Sequence, residues 1–253
     1  MEKASREKDR GALRKYLGKT MTMVVDRPMG YVHKGIVYPV NYGYIPGIIA
    51  ADGEEQDVYL LGVEAPVEAF TGQIIAIIHR QDDAEGKLVM APEGMRFFRH
   101  EIENQVRFQE QYFCTRVEAL WEKSCGAIVY RRGAEGIEYL CMLQRASWGY
   151  SAPKGHMEGQ ETEEETARRE IREEAGLQVQ LLPGFRERMV YAPFPGIKKE
   201  LILFLAQGEG ELALQQEEIL SAQWLPLDKA LEVLHPDYAP VMRKAEALLS
   251  DLF

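Results

Sequence analysis

The chain has 253 residues, 46% of them hydrophobic and 28% charged, enough for one large folded domain or two of ordinary size. A net charge of −10 and a pI near 5.2 argue against a stable or nonspecific partnership with nucleic acid, which needs a basic face. Three cysteines in no metal-binding spacing argue against a disulfide framework and point to a reducing cytoplasm, and apolar runs such as IIAII at 74–78 are far too short to span a membrane.

Residues 1–20 form a basic extension interrupted by Glu2, Glu7 and Asp9. No apolar core follows it, so it reads as a frayed helix, an interdomain strap or a dimer arm rather than a secretory signal. Stretches at 21–25, 58–63 and 72–79 predict strands of a small barrel. The segment GMRFFRHEIENQVRFQEQYF at 94–113 predicts a helix with Met95, Phe98, Ile102, Val106 and Tyr112 toward one side. RVEALWEK at 116–123 marks a seam without a Gly/Pro linker, which divides the chain into units at 21–117 and 122–253. Beyond it, CGAIVYRR, EYLCMLQRA, a helix over Glu163–Ala175 and ELILFLAQ give the order strand, strand, helix, strand. PLDKALEVL and APVMRKAEALLSDLF close the chain as two amphipathic helices. The fold class is therefore α+β in two domains.

The first unit carries IVYPVNYGYIPG at 36–47, DGEEQD at 52–57, DDAEGKLVMAP at 82–92 and FQEQY at 108–112. Asp52, Glu54 and Asp57 place carboxylates within one short loop, a cradle suited to a hard cation. The whole set resembles the family I soluble inorganic pyrophosphatases. That resemblance implies a small β-barrel with a helix, Mg²⁺, further metal ligands in Asp83 and Glu85, and phosphate contacts from Lys87, Tyr42 and Tyr112. The sequence also departs from that family. Glu54 replaces an aspartate, Glu55-Gln56 replace a Pro-apolar pair, and Phe113 stands where the family has a phosphate-binding lysine. The stretch from Val25 to Tyr38 is short, and with fewer cations the site keeps a weaker grip on diphosphate.

Residues 155–177, GHMEGQETEEETARREIREEAGL, hold the most specific signal. Thr162 and Glu165 form a capping-box pattern that starts a helix at Glu163, and Gly176 supplies a left-handed stop. Within that helix Glu170, Glu173 and Glu174 share one side, Arg169 lies four residues before Glu173 and can brace it, and Ala167, Ile171 and Ala175 form the buried stripe. Clustered carboxylates are tolerated when a cation neutralises them, and hard oxygen ligands at this density suit Mg²⁺ or Mn²⁺.

The positions Gly155, Glu161, Arg169, Glu170, Ile171, Glu173, Glu174, Gly176 and Leu177 fit G-x5-E-x7-R-E-U-x-E-E-x-G-U, where U is a bulky aliphatic. By this pattern the unit is identified as similar to the Nudix hydrolases, which cleave a diphosphate linked to another group. The resemblance implies an α/β/α sandwich, metal held by Glu170, Glu173, Glu174 and the Gly155 carbonyl, and proton abstraction from water by Glu174 or Glu218. The flanking PKGH at 153–156 and GFRERMVY at 184–191 resemble the diadenosine-polyphosphate branch. In that branch Lys154 and Lys199 would face phosphate, Tyr191 would stack on a base, and Glu218, six residues before Trp224, would serve as ligand or base.

The leading reading is an Mg²⁺-dependent hydrolase of nucleotide polyphosphates, dinucleoside polyphosphates in particular, fused to a pyrophosphatase-like unit. A rival reading makes both units active, the second releasing diphosphate from a nucleoside triphosphate and the first hydrolysing it. A third makes the first unit a ligand-sensing or dimerisation module. A homo-oligomer is expected by analogy with both families.

Overall fold

The computed structural model describes residues 13–83, 85–145 and 149–252. The extension expected over 1–20 lies outside the described residues as far as residue 12. Two compact units divide the chain; the first ends at Glu122 and takes in Ala192–Lys198, and the second begins at Lys123 and resumes at Lys199.

The first unit contains β1 (Thr20–Arg27), a short hairpin of β2 (Val32–His33) and β3 (Ile36–Val37), β4 (Asn41–Ile49), β5 (Glu55–Leu60), β6 (Ala69–Arg80), β7 (Lys87–Ala91), α1 (Arg99–Glu110) and β8 (Thr115–Ala119). β1 pairs with both β4 and β6; β4 pairs with β5, β5 runs parallel to β7, and β7 pairs with β6. These pairings close a five-stranded barrel, with β8 added on β6. Closure leaves the barrel strands without open edges. β1 and β4 approach so closely that a Cβ on Gly43 would lie 1.9 Å from the Val24 carbonyl oxygen. Alternation along β5 sends Val58 and Leu60 into one core with Ile74, Ile77, Leu88 and Met90. Tyr59 and the adjoining Leu61 enter another, with Tyr42, Val89, Ile102 and Val106.

The helix expected over 94–113 is shorter than its pattern. Gly94 has φ +82, and Phe98 is extended at φ −81 and ψ 158, so the helix starts only at Arg99. Ile102 and Val106 are its buried face, whereas Met95 and Tyr112 lie outside it at 42% and 65% exposure.

β9 (Trp121–Gly133) leads into the second unit, followed by β10 (Gly136–Gln144), β11 (Tyr150–Ser151), β12 (Lys154–His156), α2 (Glu163–Ala175), β13 (Gln178–Phe194), β14 (Ile197–Glu209), β15 (Ile219–Leu225), α3 (Leu227–Val233) and α4 (Ala239–Leu252). The sheet order is β11-β10-β9-β14-β13, with β12 on β9 and β15 on β10. Both faces are covered. Tyr139, Cys141, Leu201 and Leu203 meet Ala230, Met242, Ala245 and Leu249 of α3 and α4. Leu140, Met142, Ile202 and Phe204 meet Ala167, Ile171 and Ala175 of α2. The result is an α/β/α sandwich.

α2 is fixed at both ends as its sequence predicts. The Thr162 hydroxyl accepts from the Glu165 amide at 3.2 Å, Glu165 accepts from the Thr162 amide at 2.8 Å, and Gly176 takes φ +72. Glu163, in the first turn, receives a two-pronged bond from Arg186 at 2.6 and 2.8 Å and an ion pair from Lys123 at 2.5 Å. Among the described residues no helix is long and apolar enough to cross a membrane.

Two outcomes follow from the α2 contacts. Ile171→Ala, at a site with 0% exposure, should cost about 2–5 kcal/mol in a denaturant titration. The Arg186 and Lys123 contacts hold the Glu163 carboxyl down at about 2, against an ordinary 4.5. A depressed carboxyl stabilises the fold fully above its unfolded value and loses that contribution as pH falls through the folded one. The melting-temperature gap between the wild type and Glu163→Gln should therefore be full at neutral pH and shrink from pH 4.5 toward 2.

Candidate active site

Three carboxylates and one cation organise one side of α2 and the loop before it. The Arg169 guanidinium donates to both oxygens of Glu161 at 2.6 and 2.9 Å, to Glu170 at 2.8 Å, to Glu173 at 3.0 Å and to the His156 carbonyl at 2.9 Å. One planar fork thus ties the helix to β12 and to the loop before the helix. Arg169 holds the Glu161 carboxyl below the ordinary range, whereas burial raises Glu170 despite the same guanidinium.

Glu170 lies directly against the Gly155 backbone. A Cβ at position 155 would sit 2.0 Å from the carboxyl carbon of Glu170 and 2.1 Å from each oxygen. Only glycine leaves that cradle open. Gly126, paired with Lys154, plays a similar part on β9, where a Cβ would meet the Pro153 carbonyl at 2.1 Å.

Glu174 points into the unit and is 2% exposed. Its two oxygens accept from the Gln144 amide at 2.8 Å and from the Lys154 backbone N–H at 3.1 Å. Burial outweighs these donors and pushes the Glu174 carboxyl up to about 7. The Lys154 ammonium donates to the Gln144 carbonyl oxygen at 3.2 Å, and burial lowers its pKa against the pull of Glu174 and Glu170.

Among the described residues no group of three or more His, Cys, Asp or Glu converges closely enough to hold a metal ion as the side chains stand. The donor chemistry nonetheless fits a hard divalent cation: Glu170 on its glycine cradle, Glu173 one turn away, and buried Glu174 are all oxygen ligands. Glu173, with its side chain 48% exposed, has the room to turn from Arg169 toward such an ion.

The remaining residues predicted for this unit are placed as follows. The Lys199 ammonium lies 3.0 Å from His156 Nε2, next to the strand whose carbonyl Arg169 holds. Tyr191 is partly buried against the core of α3 and α4. Glu218 is exposed where β15 begins; its carbonyl accepts from the Arg145 amide at 2.7 Å. The same loop is tied to α2, for Gln215 donates its amide to the Glu174 carbonyl at 3.2 Å. Gln144, Glu161 and His156 carry contacts that the sequence reading did not assign. The available signal for Gln144 was its place after Leu140 and Met142 on one face of β10, a polar residue where the pattern runs inward.

In the first unit Tyr42, Asp57, Glu85 and Lys87 come together. The Tyr42 hydroxyl donates to Asp57 at 2.6 Å, and the buried Lys87 ammonium pairs with Asp57 at 2.5 Å and with Glu85. Burial raises Glu85 against the pull of Lys87. Arg27, also missed by the sequence reading, lies over the Tyr42 ring at 5.2 Å and donates to the Tyr38 hydroxyl at 2.7 Å. Asp52 and Glu54 are exposed on a turn, where Asp52 accepts the Glu54 amide at 3.0 Å. Asp83 instead joins Arg80 at 3.2 Å, and Arg80 forks onto Glu110 at 2.6 and 2.9 Å. The Tyr112 hydroxyl bonds to none of these groups.

Comparison with known proteins accounts for both halves. The NUDIX domain model matches residues 122–245, and the inorganic pyrophosphatase model matches residues 7–115. A bis(5'-nucleosyl)-tetraphosphatase [asymmetrical] of Sus scrofa is 32% identical over 51% of this chain and 97% of its own length. An NAD-capped RNA hydrolase NudC of Pasteurella multocida is 35% identical over 44% of this chain and 41% of its own. A solved C. elegans Ap4A hydrolase binary complex is 26% identical with a TM-score of 0.48, over 51% of this chain and 98% of that one. With the nine motif positions, the glycine cradle and a relative matched over nearly its whole length, the chain belongs to the Nudix family of hydrolases, and the segment in front of that domain is similar to the inorganic pyrophosphatases.

Proposed function

We propose that the second unit hydrolyses dinucleoside polyphosphates such as diadenosine tetraphosphate, cleaving them asymmetrically. The observation that carries this reading is the half-buried Lys154 ammonium beside Glu174, on the strand that leads into the Arg169-braced carboxylates. The similarity to the tetraphosphatase of Sus scrofa supports the substrate class. Mg²⁺ or Mn²⁺ held by Glu170, Glu173, Glu174 and the Gly155 carbonyl would supply positive charge to the phosphoryl oxygens and lower the pKa of the attacking water. Lys154 and Lys199 spread charge over the non-bridging oxygens, and Tyr191 stacks on a base. Arg169 keeps the carboxylates in register, and Glu174 or Glu218 takes the proton of the attacking water. A reducing cytoplasm and a homo-oligomer complete the proposal.

The test is product analysis by chromatography. Diadenosine tetraphosphate should yield ATP and AMP, and Glu173→Gln should abolish the reaction while leaving the fold intact by circular dichroism. Because Glu174 would also hold the metal, Glu218→Gln decides between the two bases: a loss of about 10²–10⁴-fold in kcat assigns the proton to Glu218, and an unchanged kcat assigns it to Glu174. Release of free diphosphate from nucleoside triphosphates, with no cleavage of the dinucleotide, would overturn the substrate.

A second activity is favoured by the group around Lys87. A cation and two carboxylates, with the Tyr42 hydroxyl beside them, support a reading of this group as a metal-assisted site for inorganic diphosphate in the first unit. Diphosphate hydrolysis that survives Glu173→Gln and disappears in Asp57→Asn would establish it. No turnover in either leaves the first unit as a binding or dimerisation module.

A further inference from the structure

Gln144 is the last residue of β10. Leu140 and Met142, at alternate positions before it, lie in the core beneath α2, so the strand's period carries Gln144 onto that same face. A polar side chain directed inward needs partners, and Gln144 has two. Its nitrogen donates to Glu174 Oε1 at 2.8 Å, and its oxygen accepts from the Lys154 ammonium at 3.2 Å. An ammonium only donates and an ionised carboxylate only accepts, so the two contacts admit a single orientation of the amide. The Lys154 backbone N–H then reaches Glu174 Oε2 at 3.1 Å and closes a circuit. Both oxygens of Glu174 are held from one side of the site, and one of the two holders also holds the cation.

We propose that Gln144 is a positioning residue for the hydrolysis described above, on which this inference rests. It fixes the Glu174 carboxylate in one rotamer and keeps the Lys154 ammonium in step with it. A neutral amide can do both at once. A second ammonium or guanidinium in its place would neutralise Glu174 and compete with a metal ion, and an apolar residue would leave one oxygen of a buried carboxylate without its donor.

The experiment uses the full chain with Gln144→Met, which keeps the volume and apolar contacts of the position and removes both hydrogen bonds, and with Gln144→Leu as a second apolar variant. Diadenosine tetraphosphate turnover gives kcat and KM, calorimetry with Mn²⁺ alone gives metal affinity, and thermal unfolding reports the fold. The expected result is a folded variant whose kcat falls about 10–100-fold and whose Mn²⁺ affinity falls about tenfold, with KM changed far less. Unchanged kcat and Mn²⁺ affinity in a folded variant would overturn the proposal. So would failure of both variants to fold, which would assign Gln144 to the core alone. If the wild type does not cleave diadenosine tetraphosphate, the substrate reading fails by itself, and the Mn²⁺ measurement decides the role of Gln144.

Discussion

The second unit depends on one guanidinium. Glu170 and Glu173 on α2 and Glu161 in the loop before it crowd together, and without a counter-charge their repulsion would oppose that arrangement. Arg169 meets all three and adds the His156 carbonyl. A lysine could not replace it, because a single ammonium lacks the fork that serves a bidentate carboxylate and two further acceptors together. The consequence is that the protein itself sets the spacing of these carboxylates, and that spacing is anchored to β12, where Lys154 and Gly155 sit.

The sheet beneath explains why that anchoring is firm. Residues of β10 and β14 alternate between two cores, so α2 on one face and α3 with α4 on the other hold the strands from both sides. β12 joins this sheet through β9 opposite Gly126, and the absence of a side chain there lets the Pro153–Gly155 backbone come close. From Gly126 to Gly155 to Glu170, the site is built by removing side chains where backbone and carboxylate must touch.

Legibility in the sequence followed the locality of the physics. The α2 boundaries were readable because Thr162, Glu165 and Gly176 act within a turn of their own positions. The barrel and the sandwich were readable only through motif resemblance, since β1–β6 and β5–β7 pairings span dozens of residues that no local pattern encodes. The start of α1 was misjudged because an apolar periodicity ran on through Gly94, whose backbone conformation ends it. β13 runs for 17 residues through Pro183-Gly184, with Gly184 at φ +83 inside the strand. At the site, charged residues were legible by type. Gln144 was not, because an amide at the end of an apolar strand looks like the strand's polar exit until its partners are placed.

The two units solve the same electrostatic problem in different ways, and the difference bears on what each can bind. In the second unit the cation among the carboxylates is Arg169, which shares five contacts and leaves the Glu173 side chain half exposed. In the first unit Lys87 is itself buried between Asp57 and Glu85, a compact charge occupying the space between the very groups a metal would need. An incoming ion there must share or displace that ammonium, and breaking one side of a buried ion pair costs about 3–5 kcal/mol unless the newcomer replaces it fully. Asp52 and Glu54, exposed on their turn, are the carboxylates that remain open to solvent. Lys87 therefore neutralises part of the charge on Asp57 and Glu85 from within the protein, and any ion entering this group competes with an ammonium already seated there.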